Sequence, residues 1–338
     1  GELLFLSGDP QYLLDVPASY IAQSDAAMND ALRLADTPQR KARVAKLKEM
    51  WDFYKASIIT YQGEHFASGA DLKSETQVLE LLDKAEGVMT QARKRRELLV
   101  AFTTDPLFKD TARTLTQSPA INGQNWGVSL LWRALPWVEK SARVKERLQQ
   151  LAQNPDGASR EQANMVLQTA GGKATLLSAN ESFEKGTDGW VLWDHGNDFP
   201  AYHKADWSIS TEHVLSGTKS MRIKGLQLGA PYQILPYQAG SFFAKASCYI
   251  PQSSKIGTLR MTLHVMGAKG ETRGGRFALP SSAIPLKPGA WQTIVLPFTL
   301  PSDDSGEAAS IRVLVELEHF EPNGEIYLDD VGLYKLNE

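Results

Sequence analysis

The chain has 338 residues, 42% of them apolar and 22% charged, which is enough for two domains and too apolar for a disordered chain. Its net charge is −3, and residues 1–172 carry 21 basic against 21 acidic side chains, so neither half has the cationic excess that neutralising phosphates demands. Nucleic acid is therefore not the expected partner. The single cysteine, Cys248, rules out an intrachain disulfide, and no apolar run reaches the ~20 residues needed for a membrane span.

The chain opens on Gly1-Glu-Leu-Leu with no basic-then-apolar leader, as a piece cut from a longer protein or a chain freed of its signal peptide would. A first helix is expected over 19–35. Thr37-Pro38 then supplies an N-cap and a first-turn proline, and Val44, Leu47, Trp51, Tyr54 and Ile58 fall on one face of the helix that follows. A second long helix is expected from about Asp71, with Val78, Leu82, Ala85, Met89, Ala92 and Leu99 as its apolar stripe. Shorter helices are expected over 106–117, 126–152 and 158–170, the last two divided by the Asn154-Pro155-Asp156-Gly157 turn. The run Arg93-Lys-Arg-Arg96 reads as a solvated helix face, and Trp126, Trp132 and Trp137 as core of the helical part or a docking surface. Residues 1–172 thus read as an α-helical bundle of five or six members.

Past Ala170-Gly-Gly-Lys-Ala174 the apolar period becomes two. Leu259, Met261, Leu263 and Val265 alternate with Arg260, Thr262 and His264, and Ile311, Val313, Val315 and Leu317 alternate with Arg312, Leu314 and Glu316. Turn clusters at Leu215-Ser-Gly217, Lys287-Pro-Gly289 and Pro322-Asn-Gly324 separate such short strands. Residues 173–338 read as an antiparallel β-sandwich, which makes the chain a multidomain α plus β protein.

Three motifs in this second half occur in a fixed order: Asn180-Glu-Ser-Phe-Glu184, Gly189-Trp190 and Tyr327-Leu-Asp-Asp-Val331. Together they resemble the galactose-binding-like jelly rolls of carbohydrate-binding modules, families four, nine and twenty-two above all. The resemblance implies a domain that holds a sugar and performs no reaction on it. It also implies a structural Ca²⁺ joining the first and last strands, with Glu184 and Asp329 as carboxylate donors and carbonyls of Ser182 and of Gly217 or Lys219 completing the shell. Such a mixed oxygen shell suits Ca²⁺. In the helical half, Ala31 to Trp51 is similar to the region that follows the catalytic barrel in α-glucuronidase-like glycoside hydrolases. That likeness carries no catalytic residue across, and none is nominated here.

A sugar site needs aromatic plates for the apolar C–H face of a pyranose and polar groups for its hydroxyl rim. Trp193, Tyr202 and Trp207, with His203 among them, lie near a Gly/Asn/Pro loop, whereas Trp190 reads as core. Tyr232 and Tyr237, each beside a proline, form a second aromatic pair. His264 and Glu316 project from the polar faces of their strands, and Arg273 and Arg276 offer a fork for a carboxylated sugar. The leading expectation is the non-catalytic C-terminal part of a secreted, periplasmic or cell-surface bacterial protein that processes polysaccharide. The jelly roll would bind polysaccharide or oligosaccharide and so hold an upstream catalytic domain of the same polypeptide at its substrate. Two readings compete with it: a hydrolase or lyase at the domain interface using His203 or His264, and a sandwich that only braces the helices.

Overall fold

The computed structural model describes residues 10–69, 72–109, 129–254, 257–273, 282–283, 286–318 and 320–337. Helices occupy the first half: α1 (Ala18–Leu34), α2 (Pro38–Gly69), α3 (Glu75–Thr104), α4 (Ser129–Trp132), α5 (Ala142–Gln153) and α6 (Arg160–Ala170). Their starts follow cap chemistry. Thr37 Oγ1 accepts from Arg40 N at 3.2 Å before α2, and Ser74 with Gln77 forms a capping box at α3. The helix expected over 126–152 is broken instead. Leu135–Trp137 is a 3-10 turn, because Pro136 has no N–H to donate and its ring crowds the preceding turn; Ser141 then caps α5, its Oγ accepting from Val144 N at 3.1 Å. Most of the helix expected over 106–117 lies outside the described residues.

The apolar stripes of α2 and α3 bury Trp51, Ile58, Val78, Leu82, Ala85, Met89 and Leu99, while Leu47 faces solvent. The basic run on α3 is not all surface. Successive helical residues turn by about 100° around the axis, so one of four must point inward. Arg95 does: it is buried, its Nε donates to Ser57 Oγ on α2 at 3.0 Å, and its guanidinium lies 5.2 Å from the Phe53 ring centroid. Burial lowers its pKa to about 10.

Strands follow at β1 (Ala174–Leu176), β2 (Val191–Asp194), β3 (Asp206–Ser210), β4 (Ser220–Lys224), β5 (Leu228–Pro236) and β6 (Gly240–Tyr249). Next come β7 (Thr258–Met266), β8 (Ser282–Ala283), β9 (Trp291–Leu300), β10 (Ser310–Glu318) and β11 (Glu325–Leu336). They form two antiparallel sheets: a six-stranded one in the order β3-β4-β11-β6-β9, with β1 also paired to β11, and a five-stranded one in the order β2-β5-β10-β7-β8. Their inner faces share one core, in which Met221, Phe242, Ala246 and Leu328 of the first sheet meet Met261, Leu263, Val315 and Leu317 of the second. This is a β-sandwich of the jelly-roll class.

Helices cover the part of the six-stranded sheet's outer face formed by β6, β9 and the end of β11. Phe243 of β6 packs against Trp132 of α4 at 4.4 Å between ring centroids and stacks on Tyr334 of β11 at 4.6 Å. Val295 and Leu336 join the same buried cluster as Val78, Leu82, Leu148 and Val166 of the helices. Burying a side chain of Phe243's size stabilises by roughly 1.5–3 kcal/mol. Helices and sheet therefore share a core, which leaves the outer face of the five-stranded sheet without a packed helix among the described residues.

Candidate functional site

That remaining face belongs to the five-stranded sheet, and strand alternation decides what it carries. Leu259, Met261, Leu263 and Val265 point inward from β7, as do Ile311, Val313, Val315 and Leu317 from β10. Arg260, Thr262 and His264 must then point outward, opposite Glu316, Leu314 and Arg312 respectively. On the other side of β10, Leu314 faces Tyr232 and Arg312 faces Ile234 of β5. The edge strand β2 adds Val191 opposite Tyr232 and Trp193 opposite Ala230. One surface thus gathers Trp193, Tyr232, His264 and Glu316 from the sequence-derived set, together with Val191, Ile234, Arg260, Thr262, Arg312 and Leu314.

The electrostatics are uneven across it. Arg260 Nε donates to Glu316 Oε2 at 2.5 Å, and its Nη2 lies 3.5 Å from Glu318 Oε1, with all three side chains largely buried. Glu316 is therefore committed to an ion pair and is not free to read a hydroxyl. Leaving Arg260 without it would strand a desolvated charge. Next to this pair the chemistry is open. Thr262 Oγ1 and Arg312 Nε are buried and have no hydrogen-bond partner among the described residues. The Arg312 guanidinium lies 5.5 Å from the centroid of the Tyr232 ring, a cation–π arrangement that fixes both groups. Burial lowers the pKa of His264, opposed by Glu316 and reinforced by Arg260 and Arg312, so the ring is neutral at pH 7. Val191 and Ile234 stay exposed at 42% and 52%, giving an apolar strip beside the polar groups.

The loop after β2 sets the position of Trp193. Asp194 is buried and accepts from Gly196 N at 2.9 Å and Ala205 N at 2.7 Å, pinning both ends of the loop. A side chain at 196 would meet the carbonyl of His203 at 2.3 Å, so glycine is required there. His195 stacks on Phe199 at 4.0 Å and meets Tyr202 edge-on at 4.6 Å and Trp193 at 5.9 Å. Tyr202 is thus part of an aromatic cluster bordering Trp193. His203 is exposed, and its backbone N donates to Gln227 Oε1 at 3.1 Å.

Other sequence-derived residues lie elsewhere. Trp207 is on β3, in the opposite sheet, and packs against the sandwich core as Trp190 does. Tyr237 also packs on that core, and its hydroxyl donates to the carbonyl of Pro301 at 2.5 Å. Both rings are half-buried against the core: Trp207 points inward from β3, and Tyr237, just past the end of β5, is held there by its hydroxyl. Arg273 is held by Glu271 at 2.9 Å and donates from Nε to the carbonyl of Glu307 at 3.0 Å, so it closes a loop at the end of β7. Arg276 lies outside the described residues. Arg312, Thr262 and Leu314 escaped the sequence reading, although their outward parity with Glu316 was visible. What was missing was the strand on either side.

The residues expected to hold Ca²⁺ are occupied differently. Glu184 Oε1 accepts from Thr218 N at 2.6 Å and Lys219 N at 2.8 Å, and Oε2 accepts from Thr218 Oγ1 at 2.7 Å. These bonds, that from the Thr218 hydroxyl foremost, lower the Glu184 pKa. Asp329 is fully buried. Its Oδ2 accepts from Leu215 N at 2.8 Å and Ser216 N at 3.0 Å, and its Oδ1 from Asp330 N at 2.8 Å. A carboxylate oxygen has two lone pairs, so these donors leave almost nothing to offer a cation. Gly217, at φ +68°, lets the loop pass: a Cβ there would lie 2.4 Å from Glu184 Oε1. The Lys219 ammonium donates to the Glu184 carbonyl at 2.8 Å. Among the described residues, no group of three or more His, Cys, Asp or Glu side chains is placed to hold a metal. As arranged, these residues do not fit a Ca²⁺ shell. They clamp the 215–219 loop to both ends of the sandwich through amide-to-carboxylate bonds.

No protein-family model matches the chain, and no curated protein does. Several solved structures are similar to it. The CBM22-1 xylan-binding domain of Paenibacillus barcinonensis Xyn10C is 14% identical with a TM-score of 0.35, covering 47% of this chain and 93% of that domain. The C-terminal family 22 carbohydrate-binding module of Clostridium thermocellum Xyn10B is 14% identical with a TM-score of 0.33, covering 46% of this chain and 90% of the module. A Stig cyclase from Fischerella sp. TAU is 13% identical with a TM-score of 0.36, covering 48% of this chain and 98% of its own. The likeness of Ala31–Trp51 to the region after an α-glucuronidase-like barrel remains an expectation of the sequence alone.

Proposed function

We propose that the chain binds a glycan on the outer face of the five-stranded sheet. The observation that carries this is the pair of buried, unpartnered polar groups, Thr262 Oγ1 and Arg312 Nε, beside the Trp193 and Tyr232 rings. A buried donor or hydroxyl without a partner costs about 1–3 kcal/mol, which a sugar hydroxyl would recover once side-chain rotation brings either atom to the face. Trp193, Val191 and Ile234 offer apolar surface to the C–H face of the ring, and neutral His264 accepts or donates one hydrogen bond. The Arg260–Glu316 pair borders the site without contributing to its hydrogen bonding.

The six-stranded sheet's covered face supports a bracing role for the same sandwich, so binding and bracing use opposite faces. Catalysis is not needed to account for either. Binding of this kind would serve a larger, exported polysaccharide-processing protein by keeping a catalytic domain near its substrate. The test is a glycan array probed with the whole chain. Signal on one polysaccharide class, lost in Arg312→Ala, is the expected result, and a blank array would overturn the reading.

A further inference from the structure

At the junction of helices and sheet lies a second recess, of about 470 Å³, away from the glycan face. Trp132, Trp137 and Leu135 of the helical side and Lys245, Thr293 and Val295 of the six-stranded sheet line it, along with Arg133 and Lys140. The volume lies within the roughly 300–1,000 Å³ typical of small-ligand sites. Its charge is one-sided: three cationic side chains face it, and no described lining residue is acidic. Arg133 Nη2 donates to the Thr293 carbonyl at 3.3 Å, which braces the guanidinium against the sheet. Lys245 Nζ lies 3.5 Å from Asp330, which offsets its charge in part, and 6.0 Å from the Tyr334 ring centroid. Lys140 is exposed, with its Nζ 6.0 Å from the Trp137 ring centroid. A further donor is unmatched. Trp132 is 6% exposed, yet its Nε1–H has no acceptor among the described residues.

Cationic side chains beside indole rings and an unused indole N–H make a site for a negative group attached to a ring with one apolar C–H face. We infer that the junction binds a small organic carboxylate, which would reach both the helices and the sheet at once. Carboxyl oxygens accept from Lys140 and Lys245, and the body of the ligand lies against Trp137. Among the described residues the lining is cationic, polar and aromatic, and the role inferred for the recess is binding.

The experiment is calorimetric titration of the whole chain with sodium D-glucuronate, D-glucose and inorganic phosphate. Glucuronate should bind in the millimolar range or tighter, more weakly as salt rises, and glucose should not. Lys140→Gln, an exposed change, should weaken glucuronate about tenfold without altering the melting temperature. Trp193→Ala should leave glucuronate binding intact. No binding of glucuronate, equal binding of glucose or phosphate, or an unaltered affinity in Lys140→Gln would each overturn the inference. Loss of glucuronate binding in Trp193→Ala would place the carboxylate on the other face and overturn it too.

Discussion

The two outer faces of one sandwich have been put to different uses. On the six-stranded sheet Phe243, Val295, Tyr334 and Leu336 point outward into a core shared with the helices, beside polar outward residues paired within the chain, such as Lys245 with Asp330 and Ser247 with Thr293. On the five-stranded sheet the outward positions include Trp193, Tyr232, Arg260, Thr262, His264, Arg312 and Glu316, and two of their polar atoms have no partner among the described residues. The first face is satisfied by burial and by pairs within the chain. The second is held in a state that a polar ligand would improve. The same strand alternation thus yields one face that packs against helices and one face proposed to bind a glycan.

Breaking the covered face should cost most. Phe243 sits between Trp132 and Tyr334, so Phe243→Ala should remove about 3–5 kcal/mol of stability, read by chemical denaturation, with glycan affinity intact wherever the variant folds. A loss below 1 kcal/mol would mean that the helices do not depend on this contact. The clamp at the end of the sandwich comes next. Asp329→Ala strands the amides of Leu215, Ser216 and Asp330 and should cost about 2–4 kcal/mol in the same assay. The open face should respond to pH. The folded-state pKa of His264 is below its ordinary value, so the unfolded chain takes up the proton first. This part of the stability is present at neutral pH and is lost as pH falls below about 6.5. His264→Gln should flatten that slope in a melting-temperature series; an unchanged slope would assign it to other groups. Smallest of all is the effect of chelator. With Glu184 and Asp329 saturated by amides and hydroxyls, removing Ca²⁺ should leave the melting temperature where it was, and a clear drop would restore the metal.

Much of this division was legible in the sequence. The alternation in 259–265 and 311–317 identified both strands and which side chains share a face, and the change of period near Ala170 separated helices from strands. The Asn180-to-Glu184 motif marked a real turn: Asn180 at φ 53° and Phe183 at φ 56° adopt the left-handed region, and the Asn180 amide donates to the carbonyl of Gly186 at 2.9 Å. What the motif could not show was the identity of the groups its carboxylate meets. Backbone amides of a loop some 30 residues on leave no mark in residue types. Trp207 and Tyr237 failed as surface plates for a similar reason, since a ring beside a loop is exposed or buried according to the sheet that receives it. Pro136, by contrast, was a readable helix breaker within 126–152. Arg312 needed cross-strand register, which places it against both His264 and Ile234 and which one strand's sequence does not contain.

The central claim, that the five-stranded sheet recognises a glycan through its outer face, is tested most directly by one titration. The glycan identified by array is titrated into the wild type and Trp193→Ala, with melting temperatures measured in parallel. A dissociation constant at least about tenfold weaker at an unchanged melting temperature is the predicted result, since an aromatic plate contributes a kilocalorie or more to such contacts. An unchanged dissociation constant would contradict the account and return the sandwich to the role of a brace.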